Sequence, residues 1–183
     1  VLGLLVAGQR RTINELSIQA HAVAVATLVR VLYINIGAAQ TYQHLSARLI
    51  TVAIVAGGFY FASRWDSFAK ALGIPYLAPA YTWAASILVA LLAWYEFLPV
   101  SVAVAWAIMG LILFEIGWER QSVSLRFQAY FALASSFLRL FYVNLNASAS
   151  QGQLSPRIYS IVPLVLVFYY VYWRLIQVPD DFL

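Results

Sequence analysis

Residues 100–117 read VSVAVAWAIMGLILFEIG, a run with a single ionisable side chain, Glu115. A helix rises 1.5 Å per residue, and about 20 apolar residues cross the hydrocarbon core of a bilayer. The run therefore predicts a membrane-spanning helix. Five further stretches have the same character: Leu16–Asn35, Leu49–Ser63, Ala80–Tyr95, Leu125–Leu145 and Ile158–Ile176. Membrane strands would need about ten residues of strict alternation, which these stretches lack. Helices are the other backbone that satisfies its own hydrogen bonds in lipid. The expected fold is all-α, a polytopic transmembrane helical bundle with six full spans.

Composition points the same way. Of 183 residues, 63% are hydrophobic and 10% charged, with eleven Lys and Arg against seven Asp and Glu. Soluble domains run at roughly 45–50% apolar and about 25% charged. Mean hydropathy is +0.81. A soluble globule, a disordered tail and a collagen-like or disulfide-stapled module are excluded. The chain has no Cys, so thiolate chemistry and Cys-ligated metals or clusters are excluded within it. The net charge of +4 suits Arg-rich cytoplasmic loops better than nucleic-acid binding.

The opening run Val1–Gly8 is too short to span and lacks the charged start and cleavage site of a signal peptide. It reads as the end of a truncated first helix, and the chain as a fragment of a longer protein. Leu98–Pro99 reads as a tight turn, Asp66–Gly73 as a short interfacial helix, and Pro163 as a kink inside the last span. With no long linker, residues 1–183 read as one transmembrane domain. One side of the membrane receives Arg10, Arg11, Arg64, Lys70, Arg120, Arg126 and Arg174. The other receives Arg48 and Arg157, with Arg30 and Arg139 close by inside their helices. That asymmetry makes the first side cytoplasmic and places the C-terminus there. The loops Gly37–Ala47 and Asn146–Pro156 then face outward.

The chain resembles itself at an ungapped offset of 109 residues, which pairs 3–65 with 112–174. Gly8 meets Gly117, Arg11 meets Arg120, Leu16 meets Leu125, and Gln19-Ala20 meets Gln128-Ala129. Arg30, Tyr33 and Asn35 meet Arg139, Tyr142 and Asn144. Leu45, Ser46 and Arg48 meet Leu154, Ser155 and Arg157, and Phe59-Tyr60 meets Phe168-Tyr169. Apolar residues coincide easily in membrane segments, whereas Arg, Asn and Gln are rare there. Their coincidence predicts a duplication. The offset covers four spans, an even number, so both copies enter from the same side. The repeat is parallel, about four helices long, with its pseudo-axis along the membrane normal.

The strings Gly110–Gly117, Ser124-Leu-Arg126 and Leu138-Arg-Leu-Phe-Tyr-Val-Asn-Leu145 resemble a recurrent module of large bacterial multi-pass proteins. That family of predicted membrane proteins is catalogued as domain of unknown function 2339. In it a helix ending in Gly and basic residues is followed by Leu-Arg, a helix closing in Phe-Val-Asp-Leu or similar, and a further span. Asn35 and Asn144 stand where the family often has Asp, and Arg30 and Arg139 near its usual Lys. The resemblance implies no known activity and no catalytic residues.

Arg30, Arg48, Arg139 and Arg157, with Asn35 and Asn144, are the candidate site residues. Arg inside a span is costly. The plain reading has Arg30 and Arg139 snorkelling to the interface or bonding helix-end carbonyls. The sharper one gathers all four arginines into an outer basic cluster for an anionic lipid or an acidic partner segment. Glu115 is the acid within a span and reads as the partner of Arg120 on its own helix. The other acids are interfacial, which speaks against a proton pathway. His21 reads as a helix–helix hydrogen bonder and is a weak candidate axial ligand for haem or chlorophyll; His44 reads as a loop residue. No catalytic triad, metalloprotease motif or phosphate loop is present. Trp65, Trp94, Trp118 and Trp173 suit an aromatic belt, and Gly57, Gly58 and Ala84–Ser86 suit close helix contacts.

The leading expectation is a non-enzymatic integral membrane scaffold or accessory subunit within a larger complex, such as a respiratory or photosynthetic assembly. It needs no cofactor or metal of its own, and its partners are membrane lipids and other membrane subunits, with no nucleic acid. The alternative is a transporter or lipid-handling protein with an outer Arg/Asn anion site.

Overall fold

A computed structural model describes residues 14–37, 41–42, 45–64, 77–144 and 156–177. The stub Val1–Gly8, the interfacial helix at Asp66–Gly73, His44 and Trp65 lie outside the described residues. Contacts divide the chain into two compact units, Val1–Tyr95 and Glu96–Leu183. The two copies of the sequence repeat fall one in each unit.

In the first unit, α1 (Asn14–Arg30) passes into a wider π-helical turn, Val31–Asn35. Its closing bond runs from the Ile36 N–H to the Val31 carbonyl at 2.9 Å, a five-residue step. A minimal antiparallel ladder follows, β1 (Thr41–Tyr42) against β2 (Leu45–Ser46). Ser46 then caps α2 (Ala47–Ala62): its hydroxyl accepts the Leu49 N–H at 2.9 Å, satisfying a donor that the helix start leaves open. The third helix, α3 (Leu77–Glu96), begins three residues earlier than expected, with Pro79 in its first turn. Proline is tolerated there because first-turn N–H groups have no intrahelical acceptor. The core of the unit joins Ala24 of α1 and Val31 of the π turn to Val52, Ala56 and Phe59 of α2 and to Ala85 and Leu88 of α3.

The second unit holds α4 (Ser101–Glu119), α5 (Val123–Arg139), a second π-helical turn (Leu140–Asn144) and α6 (Pro156–Ile176), with Pro163 inside α6. The hairpin between α4 and α5 takes three residues. Ser122 N–H bonds the Gly117 carbonyl at 2.9 Å, and Gln121 N–H bonds the Trp118 carbonyl at 3.2 Å. This nested pair satisfies the orphan carbonyls of a helix end and puts one residue in the left-handed region. Here that residue is Gln121, at φ 52°. The Ser122 hydroxyl faces the first N–H groups of α5, with Leu125 N at 3.5 Å.

The hairpin is tight because α4 offers glycine where α5 comes closest. A Cβ on Gly110 would stand 2.9 Å from Leu133 Cγ, and one on Gly117 would stand 3.0 Å from both Arg126 N and Leu125 Cβ. Small residues let helix backbones approach in a membrane, where hydrophobicity itself does not drive helices together. The buried face of α5, Leu125, Gln128, Ala129, Ala132, Leu133 and Ser136, recurs at the three- and four-residue steps of one helix face. Gly57 and Gly58 correct the expectation for α2: nothing lies within 4 Å of a Cβ at either position. Of the residues expected to allow close contact, Ala85 and Ser86 are buried.

Among the described residues, four helical stretches are long and apolar enough to cross a membrane: Ile18–Asn35, Leu77–Glu96, Ser101–Glu119 and Ile158–Ile176. The protein is a polytopic membrane-spanning helical bundle. The α2 helix is apolar but only sixteen residues long, about 24 Å at helical rise. The α5 helix carries Arg126, Gln128, Ser135, Ser136 and Arg139, which dilute its hydropathy. Notably, α1 and α5 are each seventeen residues long and end on Arg, and each passes into a five-residue π turn ending on Asn.

The two glycine environments predict opposite responses to the same change. Gly117→Ala presses on the backbone of α5 and is expected to cost about 1–3 kcal/mol in a mixed-micelle unfolding titration. Gly57→Ala meets open space and gains helix propensity, up to about 1 kcal/mol. Equal effects at the two positions would contradict the packing described.

Candidate functional site

The last turn of a helix leaves carbonyls without intrahelical partners, and the partial negative charge there attracts cations. Arg48, in the first turn of α2, answers this at one end of the first unit. One of its terminal nitrogens donates to the Ile36 carbonyl at 3.0 Å, just past the π turn of α1. The other donates to the Tyr95 carbonyl at the end of α3, at 3.4 Å. The guanidinium also stands 5.2 Å from the centre of the Tyr95 ring, within range of a cation–π attraction. One cation thus joins the C-terminal ends of two helices to the N-terminal end of a third.

The opposite end of the same unit is joined by neutral groups. His21 Nδ1 of α1 is hydrogen-bonded to the Tyr81 hydroxyl of α3, and the two rings stack at 5.6 Å. Phe59 of α2 stacks on Tyr81 at 5.4 Å. The Tyr60 and Ser86 hydroxyls bond at 2.7 Å between α2 and α3. His21 therefore has the helix–helix role expected of it. Its Nδ1 faces Tyr81 rather than an open ligand site.

In the second unit an arginine bonds a turn carbonyl instead. Arg139, the last residue of α5, donates to the Pro99 carbonyl at 3.2 Å, ahead of α4. Its guanidinium lies 5.6 Å from the centre of the Trp106 ring of α4. At the other end, Arg126 of α5 lies 5.6 Å from the Trp118 ring of α4. There Glu115 corrects the expected pairing within its own helix. Its partner is Arg174 of α6, with Nε 3.7 Å from Oε1. The physical reason is direction. The chain reverses twice between α4 and α6, so the C-terminal turns of both helices reach the same end, while Arg120 is held in the hairpin. Toward their N-terminal halves, α4 and α6 leave a mostly apolar groove of about 250 Å³, lined by Val100, Val104, Ile108, Tyr159 and Ser160 among others.

The sequence candidates separate accordingly. Arg48 and Arg139 bond helix-end or turn carbonyls, Arg30 is exposed at the end of α1, and Asn35 is half-buried in the π turn. Arg30 and Arg48 belong to the first unit, Arg139 and Arg157 to the second. The side chains of Arg157 and Asn144 lie outside the described residues. Among the described residues no group of three or more His, Asp or Glu could hold a metal ion. Tyr95, Tyr81, Ser86, Trp106 and Arg174 complete the arrangement and were not singled out by sequence for these roles. Trp106 did carry a signal: it sits inside a span, about two helical turns after Pro99, rather than at a span end.

These features define an α-helical, multi-pass membrane protein whose described polar side chains lie mainly between helices and at helix ends. No family model, curated protein or solved structure matches the chain.

Charge-assisted hydrogen bonds contribute about 1.5–3 kcal/mol each. Arg48→Gln, which loses the charge and both carbonyl bonds, is therefore expected to cost about 2–4 kcal/mol in detergent unfolding. Arg30→Gln at its exposed position should stay within about 0.5 kcal/mol. Equal losses would show that the carbonyl bonds of Arg48 do not hold the helix ends together.

Proposed function

We propose that the chain is a non-enzymatic scaffold or accessory subunit of a larger complex in a bacterial inner membrane, with respiratory or photosynthetic assemblies as candidate settings. The observation that carries this reading is the use of the polar groups. Arg48 and Arg139 bond carbonyls, while His21–Tyr81, Tyr60–Ser86 and Glu115–Arg174 join neighbouring helices. A transporter or proton carrier needs polar side chains facing a pathway near the midplane, and an enzyme needs an acid, base or nucleophile set against a substrate position.

The same reading takes the six helices as six spans, the C-terminus as cytoplasmic, and the chain as a parallel duplication. The matched boundaries of α1 and α5, each followed by a π turn at the 109-residue offset, support the duplication. The resemblance to domain of unknown function 2339 supports the bacterial multi-pass setting. The runner-up, a lipid-handling protein or transporter with an outer Arg/Asn anion site, draws on the exposure of Arg30 beside the half-buried Asn35.

The test is purification from native membranes in mild detergent, followed by native mass spectrometry. A subunit is expected to travel with a membrane partner in fixed stoichiometry. A solitary, monodisperse chain would overturn the proposal. Bound anionic lipid that disappears in Arg30→Gln would instead favour the runner-up.

A further inference from the structure

We infer that the α4–α5 hairpin binds an anionic phospholipid: Arg120 and Arg126 take its phosphate, and an acyl chain lies along Val123, Phe127 and Phe131 of α5. The inference needs only the membrane-spanning fold and goes beyond the subunit reading.

The α4 helix is long and apolar enough to cross a membrane and ends at Glu119. The hairpin at 120–122 therefore stands where hydrocarbon gives way to lipid headgroups. Arg48 and Arg139 bond carbonyls, and Arg174 pairs with Glu115. Arg126 is held differently. Its Cγ would lie 3.1 Å from a Cβ on Gly117, so the stem of the side chain crosses α4 where glycine leaves room. The guanidinium then stands 5.6 Å from the centre of the Trp118 ring, itself 5.8 Å from the Phe114 ring. A ring attracts the cation and fixes its place but does not cancel its charge. Arg120 is exposed in the same hairpin, its backbone N–H bonded to the Ile116 carbonyl at 3.0 Å. Glu119 is exposed beside it, so two arginines outweigh one acid. The start of α5 adds to the excess, because the first N–H groups of a helix carry partial positive charge.

The charge selects a phosphate, and the surface below it selects a lipid over a free ion. Val123, Phe127 and Phe131 follow one another at four-residue steps and are 57%, 64% and 66% exposed. Residues at that step form one ridge along a helix, and this ridge runs from the hairpin into the span. The planar fork of arginine matches the paired oxygens of a phosphate. On the reading that puts this end in the cytoplasm, the adjoining leaflet is the one that carries anionic lipid.

The test is native mass spectrometry of the full chain in detergent, titrated with phosphatidylglycerol or with phosphatidylcholine of the same acyl chains. One phosphatidylglycerol is expected to bind more tightly than phosphatidylcholine. Arg120→Gln and Arg126→Gln should each weaken it about fivefold, the worth of one arginine at a lipid surface, and leave phosphatidylcholine unchanged. Arg126→Lys keeps the charge and should keep most of the preference, which separates lost binding from a misfolded hairpin. Phe127→Ala combined with Phe131→Ala should weaken both lipids together. Equal binding of the two lipids, or a preference untouched by both glutamine changes, would overturn the inference. So would displacement by inorganic phosphate at the lipid's own concentration, since the acyl chain would then contribute nothing. Anionic lipid lost from Arg30→Gln and kept in these two variants would belong to the outer site of the runner-up and overturn it as well. A chain that purifies alone yet holds lipid through Arg126 would defeat the subunit reading and leave this site standing.

Discussion

Carbonyl groups at helix ends are the constraint on which the rest of this structure depends. Within a span each N–H and C=O is paired along the helix, but the last turn has no partner of its own. Where water does not reach them, such groups cost free energy if left open. In the first unit an arginine meets that need, Arg48 bonding carbonyls at the ends of α1 and α3; in the second, Arg139 bonds the Pro99 carbonyl in the turn ahead of α4. Each arginine also has an aromatic ring within cation–π range, Tyr95 or Trp106, so its charge is shared between a dipole and a π face.

The helices between those ends are held in two ways. In the second unit, glycine at 110 and 117 brings α4 against α5 at near-backbone contact, and Glu115 with Arg174 ties α4 to α6. In the first unit the glycines of α2 face open space, and the hydrogen bonds His21–Tyr81 and Tyr60–Ser86 link α3 to its neighbours. One chain therefore uses backbone closeness in one unit and side-chain hydrogen bonding in the other. Both are known ways to associate helices where hydrophobicity gives no preference.

The sequence made the membrane class legible, because 18 charges in 183 residues cannot solvate a globule. It located the six described helices; of Arg30 and Arg139, read as snorkelling or bonding helix-end carbonyls, Arg139 bonds the turn carbonyl of Pro99 and Arg30 is exposed. It placed α2 within two residues of its observed bounds and misjudged the role of Gly57 and Gly58. Glycine in a span shows that closeness is permitted, and only the neighbouring helix decides whether it occurs. The π turns after Arg30 and Arg139 were not legible, since their one-residue widening leaves the apolar pattern almost unchanged. The Glu115 pairing failed for a related reason. A local Arg120 is visible in the sequence, whereas Arg174 is 59 positions away and comes near only when α6 folds back to the same end.

Hydrogen–deuterium exchange of the full chain in detergent, comparing the native protein with Arg48→Gln, tests the central claim most directly. If Arg48 holds the helix ends of the first unit, residues 31–37 and 90–96 lose protection together while residues 101–119 of α4 keep theirs. Unchanged protection at both ends of the first unit would contradict the account.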